Sequence, residues 1–503
     1  MKNSVLCYLE QTAERLPDKV AIFDAEREIS FGELRKRGID LACAIKEQVT
    51  GRGNPILTFL PKSVENVMAF IGILYSGNFY TPTDIRFPEE KVRSVVDALE
   101  PMAIIVNTKT KEIFEKYDWH MRFVLINIDD IEACQCYEKS TNLVDEIIDA
   151  DVAYTLFTSG STGVPKGVSI TNRSIIDYID WAKECFSVTE DRILGNQAPF
   201  YFDNSTLDIY LMMATGATLA IIPESYFAFP ARLMQYVEEK SINMIFWVPS
   251  VLISVANADI LSRVDCACLT QVLFAGEVMP NKHLNYWRKY LPNARFANLY
   301  GPTEITVDCT YYIVEREFAD EEPLPIGSPC RNSDVLVLDG DELVTEPGHI
   351  GELCVRGSSL AVGYWNDFNK TAQAFCQNPL NKHYPERIYR TGDLVCYNEY
   401  GEIMFNGRKD FQIKHMGYRI ELGEIESAAL GKKEVCDACA TYHQECKQIV
   451  LFYRGDINEG DLRKYLLSIL PKYMVPTIYH AMEEFPYTDN GKIDRKRLER
   501  EYQ

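Results

Sequence analysis

The stretch that decides the fold is Tyr154-Thr-Leu-Phe-Thr-Ser-Gly-Ser-Thr-Gly-Val-Pro-Lys-Gly167. It opens with an apolar run that predicts a β-strand and continues into a turn with three glycines and four hydroxyl side chains. The backbone N–H groups and hydroxyls of such a turn can donate to an oxyanion, and a lysine adds positive charge. The pattern therefore predicts an anion-binding loop after a strand, formed by Thr158, Ser159, Gly160, Ser161, Thr162, Gly163 and Lys166.

This loop differs from the Walker A loop of nucleoside triphosphatases. The Walker A pattern has four residues between two glycines, and a Ser or Thr follows its lysine. Here two residues separate Gly160 from Gly163, and Gly167 follows Lys166. A structural Gly/Ser turn rarely combines so many donors with a lysine, so we interpret the segment as functional.

The sequence on either side of the loop predicts an α/β fold. Short apolar runs (PILTFL, AIIVN, RFVLIN) alternate with patterns at helical spacing such as SVENVMAFIGILYSG. This alternation predicts parallel sheets covered by helices. It returns at LAIIP, MIFWVP and QVLFAG, which predicts a second α/β subdomain, whereas short alternating strands with Gly turns predict a β-rich module from Leu324 to Val395.

A smaller domain is predicted at the C-terminal end of the sequence. After Asp410 the chain continues with FQIKHMGYRIEL, a helix at GEIESAAL, two strands and a helix at DLRKYLLSIL. The expected fold class is therefore α/β, with a large domain over residues 1–408 that holds two α/β subdomains and the β-rich module. A hinge and a small α+β domain are expected over residues 409–503.

Composition excludes several classes of partner. The 503 residues carry a net charge of -21, which argues against nucleic acid because phosphate contacts need clustered Lys and Arg. No apolar stretch is long enough to span a membrane, and Glu10, Glu14 and Asp18 interrupt any signal peptide. We expect a cytoplasmic protein that acts as a monomer.

The cysteines predict reduced thiols rather than a disulfide framework. There are fifteen of them, an odd number, scattered along the chain. Cys436, Cys439, His443 and Cys446 have a spacing similar to zinc ligands. Because VCDACATY is followed closely by the apolar run QIVLFY, we favour strands with half-buried cysteines over a zinc site.

Further motifs give the chain a resemblance to the adenylate-forming superfamily of acyl- and aminoacyl-activating enzymes. Together with the glycine-rich loop they follow the order of that family. They are Asn298-Leu-Tyr-Gly-Pro-Thr-Glu304, Tyr389-Arg-Thr-Gly-Asp393, Gly407-Arg-Lys-Asp-Phe-Gln-Ile-Lys414 with Gly417-Tyr-Arg-Ile-Glu-Leu-Gly-Glu-Ile-Glu426, and Asn490-Gly-Lys-Ile-Asp494.

The resemblance implies a site for ATP and Mg²⁺. Tyr300 would stack on adenine, Asp393 would accept the ribose hydroxyls, and Arg408 would reach ribose or phosphate. Glu304 would supply the hard oxygen that Mg²⁺ prefers, and Lys492 would neutralise charge in the adenylation transition state. The resemblance assigns catalysis to Lys492, Thr158 and Glu304, and adds Asn298, Gly301 and Thr303 to the nucleotide site.

Within the superfamily the chain is most similar to amino-acid-activating members. In Asn196-Gln-Ala-Pro-Phe-Tyr-Phe-Asp-Asn-Ser-Thr-Leu-Asp208 the resemblance places Asp203 against the substrate α-ammonium. In its stand-alone length and in several motifs the chain resembles D-alanine–carrier protein ligases of teichoic acid synthesis. It resembles adenylation domains of nonribosomal peptide synthetases more distantly. The implied pocket lining is Asp203, Asn204, Leu207, Trp247, Leu273, Ala275, Leu299, Val307, Asp308 and Lys492.

The pocket departs from the D-alanine type at two positions, Ala275 and Asp308. Trp247 is expected to shorten the pocket, and Asp308 is expected to need a hydrogen-bond donor from the substrate. These residues predict serine first, alanine second and a short diamino acid third. The alternative for Asp308 is a carboxylate that points away and leaves a small apolar pocket.

The resemblance also implies partners and motion. Few residues follow Lys492, so we expect the acceptor thiol on a separate phosphopantetheinylated carrier protein, and Asp410 is expected at the hinge between two domain orientations. An acyl-CoA synthetase and a degenerate nucleotide-binding regulatory module are the alternatives. Asp203 counts against the first alternative, and Lys166, Glu304, Asp393 and Lys492 count against the second.

Overall fold

The structure is a computed structural model that describes residues 2–117, 119, 123–132, 144–160, 165–443, 446–487 and 493–502. The chain divides into two compact units. The first contains Met1–Ile85, Glu100–Leu156 and Val168–Lys409, and the second contains Arg86–Leu99, Phe157–Gly167 and Asp410–Gln503. The domain division proposed from the sequence, at residue 408, stays a prediction.

The largest sheet of the first unit has nine strands among the described residues and is called the large sheet here. Its six central strands run parallel, and antiparallel strands complete both edges. The order is Ser328–Pro329, Thr310–Ile313, Arg295–Tyr300, Gln271–Phe274, Met244–Trp247, Ile193–Asn196, Thr218–Ile221, Val20–Phe23 and Glu28–Ser30.

A second sheet has seven strands within the described ranges, and five of its strands form a parallel set. It contains the strand that precedes the glycine-rich loop and the strand that follows it. The order is Gly363–Tyr364, Lys166–Thr171, Val152–Thr158, Phe79–Pro82, Pro55–Thr58, Ala103–Val106 and Val124–Asn127.

The β-rich module forms a third, antiparallel sheet that lies within residues 333–408. Its order is Glu342–Leu343, Ser333–Asp339, Gly351–Gly357, Arg387–Tyr397 and Phe375–Gln377, and Ile403–Arg408 pairs with Arg387–Tyr397.

Helices cover the two α/β sheets because each presents an apolar face to them. The helix Phe31–Gln48 begins where the Ser30 side chain accepts from Glu33 N at 3.3 Å, and Asn204–Thr215 ends at Gly216, whose φ of +84° suits glycine. The other described helices of the first unit are Leu6–Arg15, Val64–Tyr75, Thr108–Glu115, Asn172–Cys185, Pro230–Glu239, Pro249–Asn257, Asn281–Tyr290 and Phe368–Ala374.

Two apolar clusters fill the faces of the large sheet because side chains alternate along its strands. On the strand Met244–Trp247, Met244 and Phe246 join the first cluster, whereas Ile245 and Trp247 join the second. The first cluster also receives side chains from the second sheet, so it is the core on which the site residues described below are mounted.

The second unit has its own core around residues 420–475. Its described strands are Gln412–His415 paired with Tyr418–Glu421, and Val435–His443, Gln448–Gly455 and Ile478–Ala481 in a separate sheet. Its helices are Glu89–Leu99, Leu422–Leu430, Glu459–Ile469 and Arg495–Tyr502. No helix in the described part of the chain is long and apolar enough to cross a membrane.

Candidate active site

A buried carboxylate organises the residues predicted to bind the nucleoside. The Tyr300 hydroxyl and the Arg408 guanidinium both donate to Asp393, whose side chain is about 5% exposed. Arg408 also donates to the carbonyl of Thr391 at 3.2 Å. Burial and the neighbouring Asp393 carboxylate raise the pKa of Tyr300 well above its ordinary value, so the phenol remains a donor.

Asn298 and Thr303 lie close in sequence to Tyr300, on either side of it. Asn298 lies on the strand Arg295–Tyr300, and its Nδ2 donates to the carbonyl of Pro325 at 2.8 Å. Thr303 is buried at the start of the short 3₁₀ helix Thr303–Ile305. The Asn298 side chain therefore ties the strand that carries Tyr300 to the segment around Pro325.

The segment after this 3₁₀ helix is strained. Thr306 and Val307 have φ values of +60° and +71°, which β-branched residues rarely adopt. Asp308 N donates to Thr306 O at 3.0 Å, which closes a tight three-residue turn around Val307. A Cβ on Gly301 would meet Val307 O at 2.3 Å and Asp308 Cα at 2.6 Å, so only glycine fits beside this turn. This turn fixes the direction in which the Asp308 side chain leaves the backbone.

Glu304 is the predicted Mg²⁺ ligand. It is completely buried, and Tyr364 donates from its hydroxyl to Glu304 Oε1 at 2.9 Å. In the ranges that the structure describes, no group of three or more His, Cys, Asp or Glu residues could hold a metal. A single carboxylate fits Mg²⁺ held mainly by nucleotide phosphates and water, because Mg²⁺ usually keeps such ligands in phosphate-transfer sites.

Asp203, the residue predicted to hold the substrate ammonium, is half-buried at the N-terminus of the helix Asn204–Thr215. Its carboxylate makes no capping hydrogen bond to that helix. Burial raises the pKa values of the phenols of Tyr154 and Tyr178 well above their ordinary value. The Asp308 carboxylate adds to the rise at Tyr178, and the Asp203 carboxylate adds a smaller contribution at both phenols. Asp203 and the two neutral phenols therefore share one environment.

Most apolar residues predicted to line the pocket belong to the core cluster that contains Tyr178. They are Leu207, Leu273, Ala275, Leu299 and Val307, and each is nearly or completely buried. Asn204 begins the helix that carries Leu207, and its buried Nδ2 has no hydrogen-bond partner among the described residues. The structure thus brings these predicted pocket residues to one face of the large sheet.

Trp247 packs on the opposite face of the large sheet, and the expectation that it shortens the pocket stays a prediction. Its indole packs into the cluster on the opposite face, in an edge contact with Phe227 at 5.7 Å between ring centroids. Its Nε1 donates to Gly195 O at 2.8 Å. Strand alternation turns Trp247 away from Leu273 and Ala275, so its packing does not support a role in closing the pocket.

The hydrogen bonding of Asp308 also differs from what the sequence predicted. It is 1% exposed, so it does not point into solvent, and Tyr178 donates from its hydroxyl to Asp308 Oδ2 at 2.6 Å. The carboxylate therefore already has one donor from the protein. Tyr178 was missed in the sequence because it occupies an ordinary apolar position of the helix Asn172–Cys185. A buried tyrosine needs a partner for its hydroxyl, and that was the available signal.

The described part of the glycine-rich loop belongs to the second unit. Lys166 Nζ lies 3.6 Å from Glu421 Oε1, and Ser159 donates from Oγ to Arg419 O at 2.9 Å. Thr158 Oγ1 donates to Lys166 O at 3.5 Å, a long contact, and Gly160 is buried. The predicted phosphate ligands Ser161, Thr162 and Gly163 lie outside the described residues.

The last two predicted positions are the hinge and the catalytic lysine. The second unit resumes at Asp410, whose Oδ1 accepts from Gln412 N at 3.3 Å. Lys492 lies outside the described residues. The chain is described again from Ile493, which pairs with Tyr487.

The structure places the first cysteines of the Cys/His cluster on a strand, which is the interpretation that the sequence favoured. Cys436 and Cys439 lie on the strand Val435–His443, where Cys436 is exposed and Cys439 is buried. Cys446 N donates to His443 Nδ1 at 3.3 Å. Burial raises the pKa of the Cys439 thiol to about 12, so this cysteine remains a protonated, core-facing side chain.

Comparison with known proteins agrees with this arrangement. The family model of AMP-binding enzymes matches residues 9–365, which is most of the chain. The chain therefore belongs to the AMP-binding enzymes.

Individual relatives and solved structures indicate which kind of AMP-binding enzyme the chain resembles. The chain is 32% identical to zwittermicin A synthase ZmaJ of Bacillus cereus, over 99% of the chain and 95% of that protein. It is 31% identical to tyrocidine synthase 1 of Brevibacillus parabrevis, over 99% of the chain but only 45% of that protein. The fold matches holo-PA1221, a nonribosomal peptide synthetase protein with adenylation and PCP domains, with a TM-score of 0.83, 23% identity and coverage of 99% of this chain and 84% of that one. The predicted α/β fold class is confirmed, and the chain is an adenylate-forming ligase that uses ATP.

Proposed function

We propose that the chain activates a small amino acid and loads it onto a separate carrier protein. In the first step a carboxylate oxygen of the amino acid attacks the α-phosphorus of ATP, forming an aminoacyl adenylate and releasing pyrophosphate. In the second step the phosphopantetheine thiol of the carrier attacks the acyl carbon, forming a thioester and releasing AMP and the thiol proton. Serine is the first candidate substrate, alanine the second and a short diamino acid the third.

The observation that carries the proposal is the position of Asp203. A half-buried carboxylate at the start of a helix, near two neutral phenols, is suited to bind a cation. The α-ammonium group is the feature that separates amino acids from fatty or aryl acids.

The surrounding side chains favour a short substrate. Leu207, Leu273 and Leu299 are buried in one cluster with Ala275 and Val307. Asn204 and Asp308 contribute the polar groups near this apolar wall. A few polar groups in an apolar lining fix the orientation of a small ligand.

The residues around Asp393 would hold the nucleoside. Arg408 and Tyr300 fix the Asp393 carboxylate, which would accept the ribose hydroxyls, and the Tyr300 ring would lie against adenine. Glu304 would hold Mg²⁺, which when bound neutralises the phosphates.

The remaining catalytic roles are proposed from the family motifs. Thr158 and Lys166 would bind phosphate oxygens through a hydroxyl and an ammonium group. Lys492 would bridge the substrate carboxylate and the α-phosphate and stabilise the charge that develops as pyrophosphate leaves.

The test is amino-acid-dependent ATP–pyrophosphate exchange with every proteinogenic amino acid, D-alanine and 2,3-diaminopropionate. We expect serine to give the highest kcat/KM, with alanine next, and Asp203→Asn to lose exchange with its fold intact. Exchange with none of them, or stimulation by fatty or aryl acids instead, would overturn amino-acid activation.

The acceptor needs its own experiment. Purified enzyme with its preferred amino acid and ATP should load a phosphopantetheinylated carrier protein supplied in trans, as detected by intact-protein mass spectrometry. The same carrier in its apo form, which lacks the thiol arm, is the control. Efficient transfer to free coenzyme A in place of the carrier would make the chain an acyl-CoA synthetase.

A further inference from the structure

The buried carboxylate of Glu304 is held by the phenol of Tyr364. The Tyr364 hydroxyl donates to Glu304 Oε1 at 2.9 Å, and both side chains are buried. When the carboxylate is ionised, such a hydrogen bond is charge-assisted and stronger than one between neutral groups. A carboxylate has about four acceptor positions on its two oxygens, so a hydrogen bond from one phenol leaves it able to bind a cation as well.

The backbone around Glu304 is attached to the chain segment that leads to Tyr364. Ala361 N donates to Glu304 O at 2.8 Å, and Thr306 Oγ1 donates to Ser359 O at 2.7 Å. Residues 304–306 therefore run beside residues 359–361. These contacts fix where the Glu304 side chain begins, and the phenol of Tyr364 fixes one of the oxygens at its end.

Tyr364 is itself firmly placed. It lies on the strand Gly363–Tyr364, which pairs with Val168 and Ser169. Tyr364 N donates to Thr371 Oγ1 at 2.9 Å, and the Tyr364 ring makes an edge contact with Phe375 at 5.9 Å between ring centroids. A donor that is held by its own strand and by packing can keep a metal-binding side chain in one orientation.

We propose that Tyr364 is a positioning residue for Mg²⁺, because its hydroxyl sets the orientation in which the Glu304 carboxylate receives the metal ion that accompanies ATP. The inference rests on the proposed role of Glu304 as the Mg²⁺ ligand. Groups that hydrogen-bond to a metal ligand orient it, and their loss typically costs roughly 10- to 100-fold in metal affinity. The alternative is that the phenol only satisfies a buried carboxylate and supports the fold.

The experiment measures equilibrium binding of α,β-methylene-ATP, an analogue that resists cleavage at the α-phosphate, by isothermal titration calorimetry. The readout is the Kd in EDTA divided by the Kd at saturating Mg²⁺, and this ratio is called the magnesium factor here. Tyr364→Phe should lower the magnesium factor by about tenfold, at the lower end of the range for such groups. It should leave the Kd in EDTA unchanged, because the phenol acts only through the metal ligand.

Three further variants separate the metal from the fold. Glu304→Gln should lower the magnesium factor at least as much, and Tyr364→Phe/Glu304→Gln should match Glu304→Gln, because Tyr364 acts through this carboxylate. Tyr8→Phe is the matched control and should leave the factor unchanged, since this buried phenol also donates to a carboxylate, Asp180 Oδ1 at 2.8 Å. If Tyr364→Phe fails to fold, 4-fluorophenylalanine at position 364 fills the space of the hydroxyl without donating, and it should lower the factor in the same way.

An unchanged magnesium factor in Tyr364→Phe, or an equal weakening of both Kd values, would show that Tyr364 only supports the fold and would overturn the inference. An unchanged factor in Glu304→Gln would overturn the assignment of Glu304 to Mg²⁺, and the inference with it. No binding of the analogue by the wild type, with or without Mg²⁺, would instead overturn the proposed nucleotide site.

Discussion

Lys166 and Glu421 form an ion pair in the second compact unit, with Nζ 3.6 Å from Oε1 and both side chains largely buried. Lys166 is also the lysine that we propose to bind a phosphate of ATP. The same ammonium group cannot fully serve both anions, so under this proposal the pair would compete with nucleotide binding.

Replacing Glu421 with glutamine should therefore lower the KM for ATP. The change keeps the shape of the side chain and removes its charge. We expect the KM to fall by about fivefold or more, because even exposed ion pairs contribute up to ~1 kcal/mol and this pair is largely buried. Initial rates of pyrophosphate exchange at varied ATP concentrations measure it. Glu424→Gln, which removes the partner of Lys91 in the same unit, is the control and should leave this KM unaltered. A raised KM in Glu421→Gln would show that Glu421 assists binding.

Lys492 should matter for one half-reaction only. Lys492→Ala is expected to slow adenylate formation by roughly a hundredfold or more, as when one transition-state donor is lost. Transfer from a preformed adenylate to the carrier should be much less affected, because the carboxylate is already activated. Single-turnover assays of each half-reaction separate the two effects. Lys496→Ala, an exposed lysine on the helix Arg495–Tyr502, controls for loss of charge nearby, and equal loss of both half-reactions in Lys492→Ala would contradict the assignment.

Asp410 is expected to act through its backbone. Asp410→Pro fixes φ near -65° and removes an N–H donor at the boundary between the two units. We expect pyrophosphate exchange to survive while carrier loading slows, because under our proposal only the second step requires a different orientation of the second unit. Asp410→Ala removes the contact between Oδ1 and Gln412 N but leaves φ adjustable, and it should load the carrier normally. Normal loading by a folded proline variant would argue against two orientations.

Most strands and helices could be predicted from the sequence, because the apolar patterns that specify them are local. Apolar runs such as MIFWVP became buried strands, and SVENVMAFIGILYSG became the helix Val64–Tyr75. The short strand Ile478–Ala481 was not predicted, since IYHA carries no apolar alternation and its pairing depends on the neighbouring strand.

The site was harder to predict because its decisive contacts join residues far apart in the chain. Tyr178 and Asp308 are separated by 130 positions, and neither sequence neighbourhood indicates the other. Trp247 was assigned to the pocket by motif alignment, yet strand alternation places it on the opposite face. The types of residue at the candidate site could thus be predicted from the sequence. The directions of their side chains and their hydrogen-bond partners required the three-dimensional structure.

Gly301 tests the geometry of the turn that carries Val307 and Asp308. A Cβ at this position would lie 2.3 Å from Val307 O, so Gly301→Ala must displace the backbone. We expect a loss of about 1–3 kcal/mol in unfolding free energy, typical of overpacking, together with weaker substrate discrimination. Denaturant unfolding and exchange assays measure both. Gly460→Ala, on the helix Glu459–Ile469 with its nearest contact at 3.4 Å, should be neutral or slightly stabilising.

Asp208 should give the protein a measurable pH dependence of stability. It is 3% exposed on the helix Asn204–Thr215, and burial raises its pKa from 3.8 to about 7, opposed by the hydrogen bond from Asn196 and by Lys62. The folded state therefore binds this proton more tightly than the unfolded state. Its contribution to stability is complete below pH 3.8 and is lost as the pH rises through about 7.

Asp208→Asn removes the titration while keeping the shape of the side chain. The wild type should lose stability relative to this variant between pH 4 and pH 8, by about 4 kcal/mol at most, since each pKa unit corresponds to ~1.4 kcal/mol. Chemical denaturation of both proteins at four pH values across that range measures the difference, which cancels titrations that they share. The difference should level off above pH 8, where the folded carboxyl group is ionised. Parallel stability curves for the two proteins would show that Asp208 ionises in the folded state at its ordinary pKa.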